Sequence, residues 1–368
     1  MGRLTANLVT YPSLKLDHLL RLTDDTGIIQ HALYSVPRAT HGYCLDDNAR
    51  ALLAALKIYG HWAHPMALRL AYRYLAFIER AQRPDGRFHN FMDYDRQWTD
   101  EVGSEDAMAR TLWALGYTVQ FAPEPGLALA ASDIFDRAVQ WIDRLAYPRA
   151  WAYTILGLKH RWHQDGTSRW VQAASGLANR LLNLYLTHSQ GNWRWFEPIM
   201  TYVNGRLPQA LLAAYQMTGN QQAKQIGLDA LNFLNSVCFN GEFVDLVGQR
   251  GWYANGQQRA LFDQQPVDAK ALAAANLTAW QVTGDAGYRR VAVAALEWFW
   301  GRNRHGLWLY SPSTGGCYDG LTEAGVNRNQ GAESLLSFLL TYAEVYEASD
   351  PSERDRFKIE DLSREKKG

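Results

Sequence analysis

The sequence lacks the features that would settle function at a glance. No segment approaches the ~18 uninterrupted apolar residues of a membrane-spanning helix, so no membrane partner is expected. Met1 to Thr10 carries Arg3 but no apolar run of signal-peptide length, and a soluble, cytoplasmic protein is the expectation. Cysteine is scarce: Cys44, Cys238 and Cys317 are odd in number and have no C-x-x-C spacing. Neither a disulfide framework nor a zinc knuckle is indicated, and buried free thiols are expected. An excess of charge of one sign is missing too. Lysine and arginine total 37, as do aspartate and glutamate, so no general field attracts a polyanion and nucleic acid is not an expected partner. The chain has no G-x-S-x-G, Walker A, H-E-x-x-H or EF-hand pattern, and its ten histidines lack ligand spacing. No cofactor and no metal are therefore expected. Asp93-Tyr94-Asp95 matches a D-x-D pattern, but no nucleotide-binding α/β unit accompanies it.

What is present is a repeat. Six times a polar or acidic cluster leads into a helix rich in small residues. The clusters are Asp46-Asp47-Asn48, Glu105-Asp106, a weak copy around Trp151 to Leu158, Gly205 to Gln209, Asp263 to Asp268, and Asn329 to Glu333. A second set of segments has amphipathic spacing: Leu14 to Leu22, Pro65 to Gln82, Ala128 to Leu145, Arg169 to Leu186, Gln221 to Val237 and Gly287 to Trp300. Glycines 27, 86, 191, 241 and 306 follow five of these and read as helix stops before short extended segments. The unit of outer helix, glycine turn, loop and inner helix recurs every ~55 residues. Segments such as Ala51 to Leu56 and Ala271 to Ala275 are small and apolar on most faces, as helices buried on every side should be. Six inner helices inside six outer ones make an all-α (α/α)6 toroid, with short extended segments in its loops. One domain is expected over residues 1–348, followed by a charged tail at 349–368, too polar to pack and broken by Pro351.

The clusters sit where helix N-termini leave N–H groups unpaired, so Asp46, Ser104, Asp268 and Glu333 read equally as caps. Aligned on their apolar positions, the copies place Arg50, Arg110, Gln209, Lys270 and Glu333 at one equivalent site past the cap. Buried polar groups there must pair or line a cavity. Glu197 lies among Trp193, Trp195 and Phe196 and before Pro198, where desolvation would raise its pKa and suit a general acid. An acid hydrogen-bonded within an aromatic core is the competing reading. Aromatics form 12% of the chain, and sugar rings stack on aromatic faces while their hydroxyls need carboxylates and amides. A glycan cleft fits that mixture, and so in large part does an aromatic core.

The stretches GYCLDDNARALLAAL from Gly42, SEDAMARTLWALG from Ser104, WFEPIMTYVNGRLPQALLAAY from Trp195, FDQQPVDA from Phe262, and TGGCYDGL from Thr314 through NRNQGAES at Asn327 carry a resemblance. They resemble the six-hairpin glycosidase superfamily, and more closely bacterial toroid domains found beside or fused to glycosyltransferases. The resemblance implies the (α/α)6 fold, a carbohydrate context and a possible glycosyltransferase partner. That group typically has Ser-His where this chain has Ala107-Met108.

The expected function is a glycoside hydrolase or phosphorylase acting on an oligosaccharide or glycoconjugate through two carboxylates at the barrel mouth. In an inverting mechanism these stand ~6.5–9.5 Å apart. Glu197 is the expected acid and Asp47 or Asp106 the base, while Asp46, Arg50, Glu105, Trp195, Asn204, Arg206, Gln209, Asp263, Gln264, Gln265, Asp319, Gln330 and Glu333 are the expected binding residues. Two rivals are kept. One is a non-catalytic glycan-binding or partner domain of a glycosyltransferase system. The other is a sugar epimerase, which would want a histidine pair at the mouth, with His31, His41 and His89 near loop ends.

Overall fold

The computed structural model describes residues 11–360; the expectations for Met1 to Thr10 and for residues 361–368 lie outside them. The helices, in chain order, are α1 (Asp17–Leu22), α2 (Leu45–Trp62), α3 (Pro65–Ala81), α4 (Glu105–Phe121), α5 (Pro125–Ala138), α6 (Pro148–Asp165), α7 (Ser168–His188), α8 (Arg206–Thr218), α9 (Gln221–Cys238), α10 (Pro266–Thr283), α11 (Ala286–Glu297), α12 (Ala332–Glu347) and the short α13 (Pro351–Arg354). The even-numbered helices form a closed inner ring in which each packs on the next and α12 returns to α2. Helices α3, α5, α7, α9 and α11 each back the inner helix before them, and α1 backs α12. The chain is therefore the (α/α)6 toroid expected.

Composition explains which helix goes where. In α10 every residue from Pro266 to Ala279 is buried, whereas α3 buries one stripe made by Ala67, Leu70, Ala71, Tyr74, Leu75, Phe77, Ile78 and Ala81. The tightest inner contact joins α4 to α6: a Cβ on Gly116 would stand 2.4 Å from the Gly157 carbonyl oxygen, so only glycine lets these backbones meet. All three cysteines are free and buried. No helix among the described residues is long and apolar enough to cross a membrane.

Two local expectations change. The five loop glycines do not cap the outer helices. They lie inside small hairpins closed by the bridges Thr23–Ile28, Gln82–Phe88, Gln190–Trp193, Phe239–Val244 and Trp300–Trp308. Gly86 shows why the turn needs glycine: its φ is +89°, and a Cβ would strike the Arg137 carbonyl oxygen at 2.1 Å. The polar tail also begins differently. Pro351 starts α13 instead of breaking a helix, because proline at a first helical position gives up an N–H that has no partner there. Phe357 then packs edge-on against Tyr11, Tyr342 and Tyr346. One aromatic anchor thus holds residues that composition alone marks as too polar to pack.

Candidate active site at the N-terminal mouth

All six inner helices open toward one mouth, and their first turns carry its charge. Side-chain caps account for little of this. Cys44 caps α2 by accepting from the Asp47 amide, and Ser104 caps α4 by accepting from Ala107, while α6, α8, α10 and α12 have no side-chain cap. Asp46, Asp268 and Glu333 are free for other partners because they lie inside the helices, two or three residues past the cap.

On one side of the mouth these acids engage two buried arginines. Arg50 donates to Asp46 at 2.5 Å, to Asp47 at 3.0 Å and to Glu333 at 2.7 Å. Arg110 donates to Asp46 and lies 3.6 Å from Asp106. Burial would raise Asp46, but Arg110 and Arg50 outweigh it and hold the carboxyl below its usual range. Asp47, 4% exposed, goes the other way: burial dominates, and Asp46 and Glu333 add to it against the pull of Arg50. The second oxygen of Asp47 accepts from the Cys44 thiol at 3.1 Å.

On the other side, the turn before α8 gathers a second cluster. Arg149, from the helix whose cluster reads weakest in the sequence, donates to both oxygens of Glu197 at 3.1 and 2.9 Å, to Thr201 Oγ1 at 2.7 Å and to the Tyr202 carbonyl at 2.8 Å. Its guanidinium lies 4.6 Å from the Tyr202 ring centroid. The Tyr202 hydroxyl donates to Asp106 at 2.7 Å, tying this turn to α4. Val203 sits at φ +43°, a strained position for a β-branched residue, and Asp268 Oδ1 accepts its amide hydrogen at 2.6 Å. The other oxygen, Oδ2, is buried without a partner among the described residues. Asp268 is 7% exposed, and burial, with Glu333 nearby, pushes it up to about 7.

Most of the other expected residues have partners within the fold. Trp195 is fully buried against Phe196, so its ring meets no solvent. Gln264, also fully buried, accepts from Trp298 and from the Leu246 amide and donates to Asp245. Glu105 holds the Ala146 and Tyr147 amides, and Asn204 staples its own turn through Thr201. Gln330 is buried and accepts from Thr314. Asp263 meets Arg250 at 3.1 Å, and Gln265 stands at the N-cap position of α10. Arg206 and Gln209 bond to each other at 2.5 Å deeper in the barrel, where Arg206 lies 4.8 Å from the Trp113 ring. Asp319 accepts from the Gly331 amide at 2.7 Å, and burial raises its pKa.

Sequence reasoning did not single out Arg149 or Tyr202, and it left Asp268 as a cap. A usable signal for Asp268 existed: it is the third residue of α10, as Asp47 is of α2, one turn too deep to cap. Cys44, Asp46 and Asp47 also present ligand atoms within 4.8 Å of one another. The two arginines already engage those carboxylates, so this donor set fits a salt-bridge cluster better than a cation site.

Space and chemistry do not coincide. A cavity of about 630 Å³ lies at the opposite mouth around Lys57, Tyr117, His160 and Glu344. The acidic first turns and the buried Asp268 Oδ2 stand at the N-terminal mouth, while at the other mouth Glu344 Oε2 is likewise buried without a partner among the described residues.

A closed ring of paired helices around a mouth of acids and arginines defines an (α/α)6 toroid of the kind seen in several carbohydrate enzymes. No protein-family model and no curated protein matches the sequence. Among solved structures, the chain is similar to a sugar epimerase from a ruminal bacterium, with a TM-score of 0.71 and 11% identity over 91% of this chain and 96% of that one. It is also similar to the cellobiose 2-epimerase of Bacillus thermoamylovorans, at 0.70 and 12% over 90% and 96% of the two chains. The α-1,6-mannanase of Salegentibacter follows at 0.61 and 12%, covering 90% and 96%. These likenesses establish the toroid fold. They do not bear on the glycosyltransferase association.

Proposed function

We propose that the protein is a carbohydrate-active enzyme that hydrolyses a glycosidic bond at its N-terminal mouth, with Asp268 as general acid. The observation that carries this reading is the carboxyl of Asp268: buried, pushed up to about 7, and with Oδ2 unpartnered among the described residues. An acid of that strength holds a proton near neutral pH and can pass it to a leaving oxygen. Asp106, which accepts from the Tyr202 hydroxyl, suits the carboxylate that accepts a proton from water, and Glu197, with both oxygens on Arg149, is the alternative base. Asp47 then buttresses Arg50 instead of reacting. Tyr202, 38% exposed, offers a ring face for a sugar. The solved neighbours support a sugar substrate, since a mannanase of this fold is known with α-1,6-mannotetrose bound.

One observation favours sugar epimerisation instead. The His31 and His41 rings meet edge to face at 4.9 Å, and His31 feels the charges of Asp319 and Glu333. Turnover in deuterium oxide separates the readings. We expect shortened oligosaccharides from a panel that includes α-1,6-mannotetrose and cellobiose, without deuterium at a sugar carbon. Carbon-bound deuterium in an epimeric product would replace hydrolysis by epimerisation, and binding without turnover would leave a glycan-binding domain. Asp268→Asn should lower kcat by ~100-fold or more. Unchanged turnover removes Asp268 from the role.

A further inference from the structure

The cavity at the C-terminal mouth has a chemistry of its own. It is about 630 Å³, the size of a small-molecule site, and opens where the inner helices end. Two of its carboxylates, Glu344 and Glu347, have a lysine partner. Glu344 accepts from Lys270 at 3.0 Å, Glu347 accepts from Lys57 at 3.1 Å, and Asp350 serves the capping box of α13. Two of its cations are not matched. Lys159 donates to the Gln216 amide oxygen at 2.6 Å and has no carboxylate partner among the described residues. Arg354 donates only to the carbonyls of Ser349 and Glu347, at 3.1 and 3.2 Å, and has no carboxylate within 4.0 Å among those residues. Burial pushes Lys159 down to about 8, as expected of a cation without an opposing charge. Around these cations stand the rings of Tyr117 and Trp280, the Thr278 hydroxyl and the Gln281 amide.

We infer that this second mouth binds a small anionic sugar, a phosphorylated or carboxylated one, whose charge meets Lys159 and Arg354 while its ring lies among the aromatics. An anion would give Lys159 and Arg354 the negatively charged partner that the described residues do not supply, and the hydroxyl and amide groups suit a polyol. The inference is independent of the reaction at the N-terminal mouth. Its floor separates the two: Arg206 and Lys270 both lie over Trp113, at 4.8 and 4.9 Å from its ring centroid.

Calorimetric titration of the full chain at low salt, with glucose 6-phosphate, glucuronate, glucose and inorganic phosphate, tests it. Glucose 6-phosphate or glucuronate should bind at least ~10-fold tighter than glucose, and raising the salt should weaken that binding. A preference between the two acids distinguishes a phosphate from a carboxylate ligand. Lys159→Gln should weaken binding ~10-fold or more, and Asp268→Asn at the other mouth should leave it unchanged. If Lys159→Gln fails to fold, Gln281→Glu decides. Gln281 is exposed at the cavity lip, where a new negative charge should weaken binding several-fold, on the order of 3–10, without disturbing the core. No heat with either anionic sugar, equal affinity for glucose, or unchanged affinity in the folded variants would overturn the proposal.

Discussion

Burial, more than any one neighbour, pushes the Asp268 carboxyl from its ordinary value up to about 7. The sign of the consequence follows. A carboxyl raised in the folded state binds its proton more tightly than in the unfolded chain, so its contribution is complete below about pH 4 and lost as pH rises through about 7. Asp268→Asn keeps a neutral group at every pH. Relative to wild type it should gain roughly 2–4 kcal/mol between pH 5 and pH 8, read as a difference in thermal or urea unfolding. An equal offset at both pH values would show that Asp268 does not titrate in this window. The sequence displays this residue but not its solvation, which depends on the Val203 turn and on Glu333, 65 residues away from the one and on another helix with the other. Arg149 is hidden for a similar reason: its partner Glu197 is 48 residues distant, and the first turn of its helix has no acid to advertise it. Trp195 misleads in the opposite sense, since aromatic composition cannot distinguish a ring lining a cleft from one buried at 0% exposure.

At the scale of elements, the period of the chain is read directly from local chemistry. Small-residue helices go inside and striped helices outside, because each is the only arrangement that covers its apolar surface. The hairpin role of the glycines is less legible, because a positive-φ glycine after a helix looks the same whether it ends the helix or turns a few residues later. Where two inner helices touch through glycine, the sequence shows only a pair of unremarkable residues, Gly116 and Gly157. A methyl at Gly157 would meet the Leu112 carbonyl oxygen at 2.6 Å. Gly157→Ala should therefore destabilise by about 1–3 kcal/mol despite alanine's better helix propensity. Denaturant unfolding checks this; a neutral or stabilising result would mean that α4 and α6 separate at little cost.

For the whole molecule, the toroid follows from counting helices, but its closure depends on contacts that no periodicity encodes. The segment after α12 lays α13 along the C-terminal cavity and fixes it through Phe357, 6% exposed. Phe357→Ala should cost about 3 kcal/mol and lower Tm by ~3–5 °C. It should weaken ligand binding at that mouth while sparing turnover at the other, a contrast that calorimetry and activity assays can read on one sample. Beyond α13 the chain runs beside its own beginning: Tyr11 donates to the Arg356 carbonyl at 3.1 Å, Leu14 to that of Lys358 at 2.8 Å, and Glu360 back to Leu14 at 2.9 Å. The ring is thus fastened where residues 11–14 meet residues 356–360, like the lap of a belt. A chain joined across that lap and reopened in the exposed turn at Asn240 to Glu242 should rebuild the same barrel, since the order of six such units matters less than their number.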